Sequence, residues 1–215
     1  MNSRLSILIA AGILASFAVL GTSLVAFTHL ATEERIEANE RETLLRSLYA
    51  LVPSENVDND MISDSIMINA TEFLGGKETT VYRGRKQQQP VAAVLTTIVP
   101  NGYSGPIKLL VAVRYDGSLG GVRVISHKET PGLGDKVEES RSDWIYSFNN
   151  KSLGNPPLDK WGVKRDGGVF DQFTGATVTP RSIVQAVKNT LLYVRDHKDA
   201  LYDKQTTSPT TDKQG

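Results

Sequence analysis

Ile107-Lys108-Leu109-Leu110-Val111-Ala112-Val113-Arg114-Tyr115-Asp116-Gly117-Ser118-Leu119-Gly120-Gly121-Val122-Arg123-Val124-Ile125-Ser126 decides the fold class. Two runs rich in β-branched residues, Ile107–Tyr115 and Leu119–Ser126, flank Asp116-Gly117. An Asp-Gly pair between such runs is a strong hairpin signal, because glycine and aspartate tolerate the backbone twist a tight turn needs. The two runs are therefore expected to be antiparallel neighbours. Upstream, Val91–Val99 reads as a further strand, Gln87–Pro90 as a loop, and Ser65–Leu74 and Thr79–Tyr82 as short strand-like runs. Downstream, Asp135 to about Phe148 reads as a helix, with Val137, Trp144, Ile145 and Phe148 in the core. Asn149–Pro157 reads as a loop, and Trp161–Lys164 and Val169–Phe173 as short extended pieces. Pro180 to about His197 is the strongest helix, since Ile183, Val184, Val187, Leu191 and Val194 recur on one face. The class is α+β: an antiparallel or mixed sheet flanked by helices.

From Leu5 to Thr28 no charged residue occurs, a run of 24 residues. As a helix it spans about 36 Å, enough for a hydrocarbon core of roughly 30 Å. A cleaved signal peptide has a shorter apolar region and a small-x-small cleavage site, which Gly21–Ala26 matches poorly, so an uncleaved single-pass anchor is expected. Arg4 on one side, with Glu33, Glu34 and Arg35 on the other, favours a cytoplasmic N-terminus and an exported domain. Thr32 to about Val52 carries a discontinuous apolar face and continues as a helical stalk, which Pro53 ends. The expected divisions are an anchor at 1–30, a stalk and linker at 31–58, N-terminal strands at 59–100, a domain core at 101–200 and a disordered tail at 201–215.

Composition closes off several classes. Lysine plus arginine equals aspartate plus glutamate at 24 each, so no nucleic acid or other polyanion partner is implied. Cysteine is absent, which excludes disulfides, iron–sulfur ligation and thiol catalysis by this chain. The three histidines, His29, His127 and His197, are scattered, and no metal site is expected.

Two loops could carry chemistry. The first, His127-Lys128-Glu129-Thr130-Pro131-Gly132-Leu133-Gly134-Asp135, runs from a strand end to a helix start. Its glycines suit either a backbone that lies close to a flat or phosphorylated ligand, or an ordinary strand-to-helix connection. The second, Asp171-Gln172-Phe173-Thr174-Gly175-Ala176-Thr177-Val178-Thr179-Pro180, leads into the strongest helix. Thr179 reads as the helix cap and Pro180 as its first residue. Thr177 then sits at the positive end of a helix, where a phosphate is readily held, although a plain helix cap explains the same residues. Neither a P-loop nor a Gly-x-Gly-x-x-Gly fingerprint occurs.

Taken together, Glu129-Thr130-Pro131-Gly132-Leu133-Gly134, then Trp144 and Phe148, then Asp171-x-x-Thr174-Gly175-Ala176-Thr177-x-Thr179 resemble the FMN-binding domain family. Its members include the G subunit of the Rnf (Rsx) electron-transport complex and the C subunit of the sodium-pumping NADH:quinone reductase. The single anchor and modest length resemble the Rnf group more. The resemblance covers nearly the whole chain and is most specific from Tyr103 to Tyr193. It implies that 101–200 is an FMN-binding core, and that FMN is joined through its phosphate to Thr177. It further implies that a separate flavin transferase makes the bond from FAD, and that the domain is periplasmic at the inner membrane of a bacterium. Partners would be the other membrane subunits of the complex, the transferase and membrane lipid. The chain would relay electrons as one subunit of a redox-driven, ferredoxin- and NAD-linked ion translocase, with no turnover of its own. Thr174 stands where many members have serine.

A threonine hydroxyl is a weak nucleophile without activation, and no base adjoins Thr177 in sequence, which fits an external transferase. Glu129, Thr130, Gly132 and Leu133 are expected to position the flavin ring, with Leu133 on its face. Gly175 and Ala176 shape the turn before the attachment point. Lys164, 13 positions before Thr177, is either a cation near the flavin or a solvated surface lysine. Two other readings remain open: the C subunit of the quinone reductase, and a non-redox structural subunit whose threonine loop is only a cap.

Overall fold

The computed structural model describes the backbone of residues 2–202, and all side chains within it except those of 2–6, 34 and 37. Helix α1 (Asn2–Leu51) runs without a break through 50 residues. Its stretch Ile7–Glu33 is long and apolar enough to cross a membrane, and none of it is buried inside the protein. The chain divides into two compact units, Met1–Leu45 and Arg46–Gly215. The last turn of α1 therefore belongs to the domain, so the expected stalk and linker at 31–58 is not a single piece.

Within the second unit, five strands form an antiparallel meander in the order β1-β2-β3-β4-β5. They are β1 (Ser65–Ile68), β2 (Thr79–Lys86), β3 (Gln89–Val99), β4 (Ile107–Arg114) and β5 (Leu119–Ser126). The expected strand at Ser65–Leu74 is half right. After Ile68 the chain leaves the sheet and turns into the short helix α2 (Thr71–Leu74), which buries Leu74. The Asp116-Gly117 turn forms as expected. The Asp116 carboxylate accepts from the backbone N–H and hydroxyl of Ser118, and these bonds hold its pKa below the ordinary value. The β2–β3 turn is tighter than expected: Gln87 and Gln88 both adopt positive φ. The Asp58 carboxylate accepts the Gln87 N–H at 2.7 Å and holds this costly geometry.

Alternation gives the sheet two covered faces. On one, Ala93, Leu95, Val99, Leu109, Val111 and Val113 meet α3 (Val178–Asp196) through Ile183, Val187, Leu191 and Val194, all in one core cluster. At about 2 kcal/mol per buried aliphatic side chain, those four helix residues contribute roughly 8 kcal/mol before entropy. On the other face, Leu51 lies against the Gly120–Gly121 backbone, and Val57 and Met61 lie against Gly84.

Two expectations fail. Asp135–Phe148 is not one helix but two 3-10 stretches, Gly134–Val137 and Asp143–Phe148. The Ser142 hydroxyl starts the second by accepting the Trp144 N–H, so serine caps where a helix would have continued. The core residues foreseen there, Val137, Trp144, Ile145 and Phe148, are all buried. The tail set at 201–215 begins too early, because Leu201 and Tyr202 are buried in helix α4 (Lys198–Tyr202). The rest of that tail, 203–215, lies outside the described residues.

Candidate functional site

Residues 149–177 have almost no regular structure, yet they are held firmly. Phe148 stacks on Phe170 at 4.7 Å and on Trp161 at 6.5 Å, Trp161 and Phe170 meet tilted, and Trp144 meets Phe173 at 5.2 Å. Both indole N–H groups find carbonyls: Trp144 donates to Asp171 at 2.8 Å and Trp161 to Ser152 at 3.1 Å. Buried tryptophan requires such a partner, so these rings fix both ends of the loop that precedes α3.

The two glycine loops fold alike. Thr130-Pro131-Gly132-Leu133 closes with the Leu133 N–H on the Thr130 carbonyl at 3.1 Å. Phe173-Thr174-Gly175-Ala176 closes with the Ala176 N–H on the Phe173 carbonyl at 3.2 Å. Gly132 and Gly175 hold the third turn position at φ +80° and +83°, where an L side chain is strained. The turns touch: a Cβ built on Gly175 would lie 3.4 Å from Leu133 Cδ2. Thr174 and Gly175 are exposed, and Ala176 is buried.

Thr177, not Thr179, is the residue that precedes the helix, and its side chain makes no capping bond. The residue is half-buried, and its hydroxyl has no hydrogen-bond partner among the described residues. The first helical N–H to reach back is that of Arg181, onto the Thr177 carbonyl at 3.4 Å. Helix geometry leaves the N–H groups of Val178 and Thr179 without intrahelical acceptors, and Pro180 has none to satisfy. The expected cap, Thr179, is fully buried and donates its hydroxyl to the Glu129 carboxylate. A capping assignment from local sequence could not see an acceptor 50 residues away.

Glu129 also departs from its expected place. It is 5 % exposed, and its second oxygen accepts the Ser104 N–H at 3.0 Å. Its own N–H donates to His127 Nδ1 at 2.9 Å. His127 Nε2 therefore carries the ring proton and donates to Glu138 at 2.7 Å. Thr130, Gly132 and Leu133 are exposed beside it. Lys164 pairs with the second loop, its ammonium 2.6 Å from the carboxylate of Asp171, the first residue of the threonine motif. Arg181, in the first turn of α3, grips Asp166 with two bonds of 2.6 and 2.9 Å. That pairing holds the Asp166 carboxyl below its ordinary pKa.

One contributor has almost no signature in the sequence: the β3–β4 loop. Ser182 donates to the Asn101 carbonyl at 2.7 Å, which ties that loop to α3 beside the Ser104–Glu129 bond. Gly102 and Gly105 in a polar connection were its only signal. A groove of about 350 Å³ lined by Tyr115, Lys198 and Tyr202 lies at the other end of β4, away from these residues.

This geometry suits a phosphate-linked flat cofactor. An unengaged hydroxyl stands beside free helix N–H groups, with exposed Leu133 and Val178 close by. Comparison with known proteins defines the class: residues 102–192 match the FMN-binding domain. Residues 1–51 match the RnfG N-terminal region. Similar proteins named as the G subunit of the ion-translocating oxidoreductase complex occur in several bacteria. That of Pseudoalteromonas atlantica is 47 % identical over 88 % of this chain and 89 % of its own length. Those of Pseudomonas aeruginosa (44 %, covering 93 % and 94 %) and Vibrio cholerae (41 %, covering 89 % and 92 %) are similar over the same extent. The chain belongs to the family formed by these G subunits of ion-translocating oxidoreductase complexes.

Proposed function

We propose that this chain carries FMN esterified to Thr177 and passes electrons through it within an ion-translocating membrane complex. The observation that carries this reading is the meeting of the two turns at Leu133 and Gly175, beside a threonine hydroxyl with no other bond among the described residues. In the attachment step the Thr177 oxygen attacks the phosphorus on the FMN side of FAD. The new P–O bond replaces the one to AMP, AMP leaves, and the hydroxyl proton passes to a base of the flavin transferase. No electron changes hands. The remaining phosphodiester charge faces the start of α3, which stabilises it by about 0.5 kcal/mol at an exposed site.

Bound FMN supplies a centre that accepts and returns electrons one or two at a time. Thr130, Gly132 and Leu133 would hold its ring, with the Leu133 side chain against one face. Lys164 is a weaker influence on the ring's potential than a free lysine, because Asp171 offsets its charge. The apolar anchor and the charge asymmetry around it favour a domain on the periplasmic side of the inner membrane, beside other membrane subunits and lipid.

The test is a denaturing gel of the full chain made with its transferase. The band should fluoresce and weigh one FMN less one water above the bare polypeptide, and Thr177→Val should lose both. Flavin that departs on denaturation would overturn the covalent link. A chain that takes up no flavin at all would favour the structural-subunit reading.

A further inference from the structure

We propose that Glu129 and Thr179 form a buried clasp that positions Thr177 for flavin attachment, a role that rests on the Thr177 reading above. The Glu129 carboxylate is bonded at one oxygen to the Ser104 N–H and at the other to the Thr179 hydroxyl. Its backbone N–H is fixed by His127. One side chain thus joins the end of β5, the β3–β4 loop and the first turn of α3. Gly134 completes the seat: a Cβ there would lie 2.5 Å from Glu129 Oε2 and 2.9 Å from Glu129 Cβ. Any larger residue would push the carboxylate off Thr179.

Thr179 is two residues after Thr177 and is 0 % exposed. It offers no surface to a transferase and no contact to a ligand. Its bond fixes the first turn of α3, and with it the direction of the Thr177 hydroxyl and of the N–H groups beside it. Attachment needs that oxygen in line with the FAD phosphorus, and small misplacements of a nucleophile are costly in rate. Loss of the clasp should lower the turnover of attachment and leave recognition of the exposed motif alone.

Hydrogen-bond chemistry separates this role from simple bulk. Thr179→Val keeps shape and loses the donor. Thr179→Ser keeps the donor. Glu129→Gln can keep both bonds, because its carbonyl accepts from Ser104 and its NH2 donates to the Thr179 oxygen. Glu129→Ala keeps neither. The experiment uses the full chain in detergent with purified flavin transferase and FAD. It follows covalent flavin by mass and in-gel fluorescence, with a thermal melt of each variant.

Thr179→Val should melt cooperatively and show kcat for attachment reduced about tenfold or more, with KM for the chain unchanged. Thr179→Ser and Glu129→Gln should stay within about threefold of the parent, and Glu129→Ala combined with Thr179→Val should be no worse than the slower single variant. A folded Thr179→Val chain modified at the parental rate, while Thr177→Val stays bare, overturns the clasp and leaves the attachment site standing. A KM effect with kcat unchanged also overturns it. If the folded parent itself takes no covalent flavin, the Thr177 reading falls, and the clasp falls with it.

Discussion

At Gly175 the chain needs a φ of +83°, and the space above that residue is bounded by Leu133 Cδ2 at 3.4 Å. Both conditions act on a side chain placed there. A β-branched residue in the left-handed region costs about 2 kcal/mol, and its methyls would press Leu133 away. Gly175→Val should therefore lower domain stability by about that amount in urea and slow flavin attachment at Thr177. A variant with parental stability and attachment would remove the turn from the site. The neighbouring threonines show what sequence could and could not give at this scale. The motif that holds Thr177 is legible in sequence because it is local. The burial of Thr179 is not, since Thr-Pro before a helix carries the same local pattern whether the hydroxyl caps the backbone or serves a distant carboxylate.

Elements pack through their polar as well as their apolar contacts. Thr190 on α3 and Thr97 on β3 are both fully buried, and their hydroxyls are 3.0 Å apart. Thr190 gives its single proton to the Ala186 carbonyl at 2.9 Å, so Thr97 must be the donor between the two. The pair is therefore asymmetric. Thr97→Val removes a donor whose acceptor is already engaged as a donor elsewhere, and should change stability by less than about 1 kcal/mol. Thr190→Val leaves the Thr97 hydroxyl buried without an acceptor, and should cost about 2 kcal/mol in urea unfolding. Equal effects would refute the assigned direction. The elements themselves were unevenly legible. β4, β5 and α3 declare themselves by alternation or by a helical stripe. The 134–148 segment does not, because 3-10 turns repeat every three residues and place Trp144, Ile145 and Phe148 inward as an α-helix would. Arg83 and Arg85 are both buried on the Asp64 carboxylate, which closes the gap between the 59–64 segment and β2.

Across the whole molecule, the decisive boundary is the one between Leu45 and Arg46, inside a single helix. Hydropathy marks the apolar stretch Ile7–Glu33 but does not place this division, because the helix runs on to Leu51 without a break. Burial makes the distinction: Leu48, Leu51 and Val52 are at most 4 % exposed. Leu51 lies on the backbone of β5, on the face of the sheet that α3 does not cover. Removing these three from water contributes roughly 5 kcal/mol, a large share of the stability of a domain this size. A chain that starts at Arg46 keeps them and should be soluble without detergent, with a single cooperative melt. A chain that starts at Ser54 lacks them, exposes the backbone of Gly120 and Gly121, and should lose about 5 kcal/mol or fail to fold. The measurement is a pair of urea curves on the two fragments. Equal midpoints would mean that the end of α1 is only a tether, and that the sheet's second face is stable without it.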